Sequence, residues 1–141
     1  MATSLTFTST PFMSASLLTS SSQATPITIC NGGTNGARVY GIAVYTNSTT
    51  APNMVLSYAG NVTARITTVA VTANSGHTAG TAIFDYFGHS APAGIFQKQK
   101  DANGVPYFNL PPNTSLTMNT SASVFISSGA TASIFTFGEF Y

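Results

Sequence analysis

The sequence predicts an all-β protein of the antiparallel sandwich, jelly-roll or barrel class. The form expected is a single jelly-roll-like β-sandwich domain with an extended N-terminal arm. Three observations predict it. Thr, Val, Ile, Phe and Tyr fill the segments between turns, which is strand composition. Gly (12), Pro (7) and Asn (10) interrupt the chain at short intervals, as short strands joined by turns require. Leu, Glu, Lys, Gln and Arg, the residues that favour helices, are scarce. A length of 141 residues suits one domain and can bury a core without covalent staples.

Residues 1–25 read as the arm. Within it "TSLTFTST" can form an edge strand, because Leu5 and Phe7 alternate with Thr6 and Thr8. "TSSSQATP" follows as a linker. The sandwich is expected over residues 26–141 and begins with "ITIC" (27–30). "NGGTNG" (31–36) is the strongest turn signal in the chain and suits residues at positive φ. It precedes a strand and not a helix, so it lacks the helix N-terminus that cradles phosphate, and a hairpin turn accounts for it better. "ARVYGIAVYTN" (37–47) is the clearest strand. Val39 and Ile42 break its alternation, and Gly41 between them marks a candidate bulge.

"NMVLSYAG" (53–60) and the β-branched run "VTARITTVAVTA" (62–73) are the next strands. "TAIFDYFGH" (81–89) is an apolar, aromatic one. "GHSAPAGIFQKQK" (88–100) combines Pro92 and Gly94 with the local basic residues and is expected as an exposed loop. Asp101–Gly104 should form a hairpin-type turn. "YFNL" (107–110) and "SLTMNTS" (115–121) are strands, separated by Pro111–Pro112. Two prolines remove two backbone donors, so they mark a bend or an exposed edge. "SVFISS" (123–128) and "TASIFTFGEFY" (131–141) complete eight or nine strands. The apolar end at Phe140 and Tyr141 is expected to be paired in a sheet or held by a neighbouring subunit.

Charged residues make up 5% of the chain, against about 25% in an average domain. Thr (22) and Ser (17) take their place, so the surface is polar but uncharged. Such surfaces do not repel one another, and the free monomer is expected to associate. The net charge is +1, with Arg38, Arg65, Lys98 and Lys100 as the fixed cations. These form no basic patch, which argues against a nucleic-acid partner. No span approaches the ~20 apolar residues of a membrane helix, and the N-terminus lacks the basic and apolar regions of a signal peptide. Cys30 is the single cysteine and is expected as a small buried thiol. The Asn-x-Ser/Thr sites at Asn47, Asn61, Asn113 and Asn119 match what this composition produces by chance.

Candidate acid–base groups are Asp85, Asp101, Glu139, His77 and His89. Asp85 with Glu139 is the one conceivable carboxylate pair for glycoside hydrolysis, and their spacing does not support it. His77 and His89 each follow a Gly in a turn, where solvated loop histidines are the simpler account; Asp85 as a third metal ligand fits no known spacing. No nucleophile elbow, phosphate loop, dinucleotide fingerprint or C-x-x-C occurs. No catalysis, cofactor or metal is expected. Tyr45, Tyr58, Tyr86 and Tyr107 could form a sugar-binding platform, and core or interface packing explains them as well.

The order of segments resembles that of small all-β virion proteins of tailed bacteriophages, often encoded near the major capsid gene. The resemblance is carried by "ITICNGGTNG", by "ARVYGIAVYTNST", by "NGVPYFNLPPNTSLTM" with its late Leu-Pro motif, and by the aromatic ending "FGEFY". It spans most of residues 1–141. The chain departs from that pattern at Asn113, where Gly is usual, and at Glu139 and Phe140. The resemblance implies a capsid cement or decoration protein: a homo-oligomer, a trimer by preference, that is made in the bacterial host cytoplasm and binds the major capsid protein at the virion's outer surface. The interface residues expected on this reading are Leu5, Phe7, Phe12, Phe137, Phe140 and Tyr141. A head-fibre, tail or baseplate subunit is the alternative within the class. A carbohydrate-binding jelly-roll module is the alternative outside it.

Overall fold

Four strands run out and four later strands run back against them, so that the chain is one long hairpin wound over itself. The computed structural model describes residues 10–89, 99–121 and 125–141. Its strands are β1 (Thr10–Thr19), β2 (Ile27–Asn31), β3 (Ala37–Thr46), β4 (Asn53–Ala59), β5 (Thr63–Ala70), β6 (Phe84–Asp85), β7 (Gln99–Lys100), β8 (Pro106–Leu110), β9 (Ser115–Thr120) and β10 (Thr131–Phe140). One helical turn, α1, spans Tyr86–His89. β1 pairs with β10, β2 with β9, β3 with β8 and β4 with β5, all antiparallel. The wound hairpin lies on two sheets. The first has the order β1-β10-β3-β8-β7, with β6 also beside β3, and the second β2-β9-β4-β5. This is the strand order of a jelly roll, the fold class that the composition and turn spacing predict.

Alternation sets the core. Along β9, Leu116, Met118 and Thr120 are buried while Ser115, Thr117 and Asn119 are half-buried. On β3 the phase shifts in mid-strand. Opposite the adjacent pair Phe137 and Gly138 of β10 stand Gly41 and Val39, so Tyr40 is the extra residue of a bulge. The bulge expected at Gly41 is therefore present. It lets Ala37 and Val39 face inward before it and Ile42 and Val44 after it. Leu18, Ile29, Met54, Leu56, Leu110, Leu116, Met118 and Ile134 close the space between the sheets.

Several segments differ from expectation, each for a local reason. Thr10–Thr19, expected as part of an arm, is the edge strand β1, paired with β10 over its whole length. Its core-facing row contains Ser14 and Ser16, and its outward row Met13, Ala15 and Leu17. Met13 to Leu17 alternates apolar and polar as a strand does, but alternation does not say which of the two rows faces the core. Residues 31–36 are not a hairpin, because β2 and β3 belong to different sheets. They form a tight corner with Gly33 at φ 67° and Gly36 at φ 90°, the left-handed region that favours glycine.

In the aromatic segment 81–89 only Phe84 and Asp85 extend. Tyr86 and Phe87 are adjacent and both buried, which a strand cannot arrange on one face but a helical turn can. Asp85 Oδ1 accepts the Gly88 N–H (3.0 Å) and starts that turn. The Tyr86 hydroxyl donates to the Met54 carbonyl (2.8 Å). Residues 125–128 are not a strand, since the Ile126 and Ser127 N–H groups donate to the side chains of Gln23 and Ser48. The turn from Asp101 to Gly104 joins β7 to β8 as expected. Asp101 Oδ1 accepts the N–H groups of Asn103 and Val105 there.

Candidate functional site

The two outer faces of the sandwich differ in chemistry. Register across β1, β10 and β3 places Met13, Phe137 and Gly41 in one row. The next rows are Ala15–Phe135–Ala43 and Leu17–Ser133–Tyr45. On the second sheet the corresponding rows are Thr28–Thr117–Ser57–Arg65 and Asn31–Ser115–Ala59–Thr63. These three rows of the first sheet are therefore largely apolar and aromatic, bordered by the charged row Pro11–Glu139–Arg38, while the rows of the second sheet are hydroxyl- and amide-rich. Met13 is 70% exposed, Leu17 54% and Phe137 42%. Phe137 lies over Gly41, and a Cβ at that position would fall inside the ring. The glycine that permits the bulge thus also seats an exposed aromatic.

The three rows, ~6.6 Å apart across three strands at ~4.8 Å spacing, make a footprint of about 290 Å². That is at the low end of the largest apolar patches that monomers ordinarily expose. It is somewhat over a third of the ~800 Å² that one partner contributes to a standard interface.

The edges of the sheets also differ. β7 is two residues long and ends on Lys100. β2 and β5 each carry an extra, bulged residue, Ile29 and Ile66, and β5 also carries Arg65. Short length, bulges and charge all discourage pairing with another chain. β1 has none of these beyond Pro11: it is ten residues long and uncharged, and among the described residues it is paired on one side only.

The residues expected at an interface are brought together in part. Phe12 and Phe140 stack with centroids 4.6 Å apart at the start of β1 and the end of β10. Phe137 projects from the face just described. Tyr141 turns inward to Arg38, whose Nε donates to its hydroxyl (3.1 Å), and that hydroxyl donates to Asn109 Oδ1 (2.9 Å). The Arg38 guanidinium lies 4.7 Å from the Tyr107 ring centroid and 5.5 Å from that of Tyr141. Hydrogen bonds to Tyr141 and then Tyr40 hold the Arg38 cation in place and raise its pKa. Leu5 and Phe7 lie outside the described residues. Met13, Leu17 and Phe135 were not among the expected residues, and no linear pattern could supply them, because only the β1–β10 register joins them.

The candidate catalytic and ligating groups stay apart. Asp85 stands opposite Ala43 and Glu139 opposite Arg38, five residues apart along β3 and so about 15 Å. Carboxylate pairs of glycosidases are ~5–9.5 Å apart. His77 Nδ1 and the Tyr45 hydroxyl share a hydrogen bond (2.8 Å). The side chain of His89 lies outside the described residues. Among the described residues, no three His, Cys, Asp or Glu side chains group as a metal site would need. Cys30 is buried, and burial pushes its thiol up to about 12.

The tyrosines do not form a shared platform. Tyr86 is enclosed, Tyr107 is covered by Arg38, Tyr45 holds His77, and Tyr58, on the inner strand β4, packs partly against the core. Among the described residues, no helix is long and apolar enough to cross a membrane.

No family model matches the chain, and no curated protein matches it. Among solved structures it is similar to a chain of the cyanophage Pam1 capsid asymmetric unit. That likeness has 17% identity and a TM-score of 0.45, over 100% of this chain and 92% of the other.

Proposed function

We propose that the chain is a non-catalytic structural protein of a tailed-phage virion, and within that class a cement or decoration protein. In this reading a homo-oligomer, a trimer by preference, attaches to the major capsid protein at the outer surface of the assembled shell. The observation that carries the proposal is the outer face of the first sheet: an apolar stripe, bordered at one end by Glu139 and Arg38, that continues into β1, whose outer edge is unpaired among the described residues. The order of turn motifs along the chain supports the virion class. The scarcity of charge supports life within an assembly, where no like-charge repulsion opposes contact.

Mechanically, each copy would lay Met13, Leu17, Phe135 and Phe137 against a neighbour. Its β1 edge would be left to pair with an extended segment. The face alone falls short of a standard interface, so the edge, or residues 1–9, must supply the rest. A protein that binds only the assembled shell stabilises it by mass action.

Two lysines at the stripe test this. In Met13→Lys/Leu17→Lys both charges point to solvent in the monomer, so the fold and its circular dichroism should be retained. Sedimentation should shift to monomer, and occupancy on particles should fall at least about tenfold, since two apolar anchors are each worth more than ~1 kcal/mol. Oligomerisation and occupancy equal to the parent chain would sink the proposal. The parent's self-association should also be insensitive to added salt. Removal of residues 1–9 tests the arm. Removal of residues 1–22, by contrast, would take away β1 and the buried Leu18, and it should unfold the sandwich.

A further inference from the structure

We infer that a cleft at one end of the sandwich binds a neutral saccharide. It lies between the β4–β5 loop and the β8–β9 turn and encloses about 430 Å³, within the range of small-ligand pockets. Its aromatic wall is Tyr58. That ring rests on the main chain at Gly60, where a Cβ would come within 2.8 Å of it. The Gly60 N–H donates to the Val62 carbonyl (3.1 Å) and tightens the loop. Val62, 70% exposed, and Pro112 add apolar surface beside the ring.

The polar wall is preset. Asn113 is held at φ 58°, and its N–H donates to the Gly33 carbonyl (2.8 Å). The Thr114 hydroxyl donates to the Pro111 carbonyl (2.6 Å), which leaves its oxygen able to accept. The side-chain amides of Asn61 and Asn113 and the hydroxyl of Tyr58 have no hydrogen-bond partner among the described residues. Each amide offers both donors and an acceptor.

This combination selects a ligand class. A pyranose has an apolar C–H face, which fits a tyrosine ring, and a rim of hydroxyls that both donate and accept, which fits two amides and a threonine. Among the described residues no charged side chain lines the cleft, so an anionic ligand gains no ion pair there. A wholly apolar ligand would desolvate the two amides without pairing them. The cleft borders β4 and β5, which lie in the second sheet, away from the outer face of the first. Its lining shares no residue with the stripe of Met13, Leu17, Phe135 and Phe137, and the inference does not rest on the capsid reading.

The test uses the full chain and saturation-transfer NMR. The probes are neutral oligosaccharides of glucose, galactose, mannose and N-acetylglucosamine, with sialyllactose as the acidic comparison. Asn113→Gly keeps the positive φ and removes one amide; Asn61→Ala removes the other. At least one neutral probe should bind with Kd of about 1 mM or tighter. Each variant should weaken it about fivefold or more, as the loss of a hydrogen bond to a ligand hydroxyl does, at unchanged melting temperature. Gly60→Val should abolish binding by displacing the Tyr58 ring. No binding by any neutral probe, binding of sialyllactose alone, or parental affinity in both asparagine variants would overturn the inference.

Discussion

Thr136 shows how finely the core of this protein is divided between packing and polarity. It is fully buried on β10, between Ser14 of β1 and Ile42 of β3, and its Oγ1 has no hydrogen-bond partner among the described residues. An unpaired buried hydroxyl costs about 1–3 kcal/mol, and Val has nearly the same shape. Thr136→Val should therefore stabilise the fold by about 1 kcal/mol in urea denaturation. A loss of that size would show that the hydroxyl is satisfied in solution. Gly138 is constrained in the opposite sense. A Cβ there would collide with the Arg38 carbonyl oxygen, which belongs to the main chain and cannot step aside. The glycine is what lets β10 close on β3 at the bulge.

At the scale of elements, the irregular connections are held by side chains acting on main chain. Gln23 is the clearest example. Its Nε2 donates to the carbonyls of Ser20 (2.9 Å) and Ile126 (3.4 Å), and its Oε1 accepts from the Ile126 N–H (2.6 Å). The Thr120 hydroxyl donates to the Gln23 carbonyl or to Oε1. One side chain thus ties the β1–β2 connection to β9 and to the segment before β10. Gln23→Ala leaves the Ile126 N–H without its acceptor in a buried setting. The expected loss is about 2–3 kcal/mol, and loosening should appear first as faster amide exchange at Ile126 and Thr120. A cost below about 0.5 kcal/mol would remove Gln23 from this role.

At the scale of the whole molecule, the wound hairpin pairs the described chain's first strand with its last. Folding must therefore close large loops before most contacts form, as all-β topologies of this kind do, on millisecond to second timescales. Two buried groups that are neutral when protonated make stability fall at alkaline pH. Burial pushes Cys30 up to about 12 and raises the Tyr86 phenol too. Both groups are neutral when protonated and ionise more readily in the unfolded chain. Their stabilisation is complete below the unfolded values, about 8.5 for Cys and 10 for Tyr, and is lost as pH rises from there towards the folded ones. Melting temperature should fall progressively above about pH 9. Native Cys30 should resist thiol reagents until the chain unfolds. A melting temperature that holds or rises between about pH 9 and 11 would contradict this.

Local features were legible in the sequence because their causes are local. "NGGTNG" announces a turn, Gly41 a bulge, Pro111–Pro112 a bend, and the β-branched runs announce strands, since each is decided by the φ and side-chain preferences of a few neighbours. The alternation of Met13 to Leu17 in β1 is local and legible, but which of its rows faces the core is not, because the outward row is the more apolar one. Tyr86 and Phe87 became helical because both had to reach one core.

The apolar stripe and the cleft were beyond any linear reading. Met13 pairs with Phe137, and Tyr58 lines the same cleft as Asn113, across long stretches of chain. By itself the sequence determined an uncharged all-β chain with its corners in place, because propensity and turn chemistry act over a few residues. Only the tertiary structure decided which face would be left apolar and which loops would enclose a cleft, because sheet register is settled by pairing between distant strands.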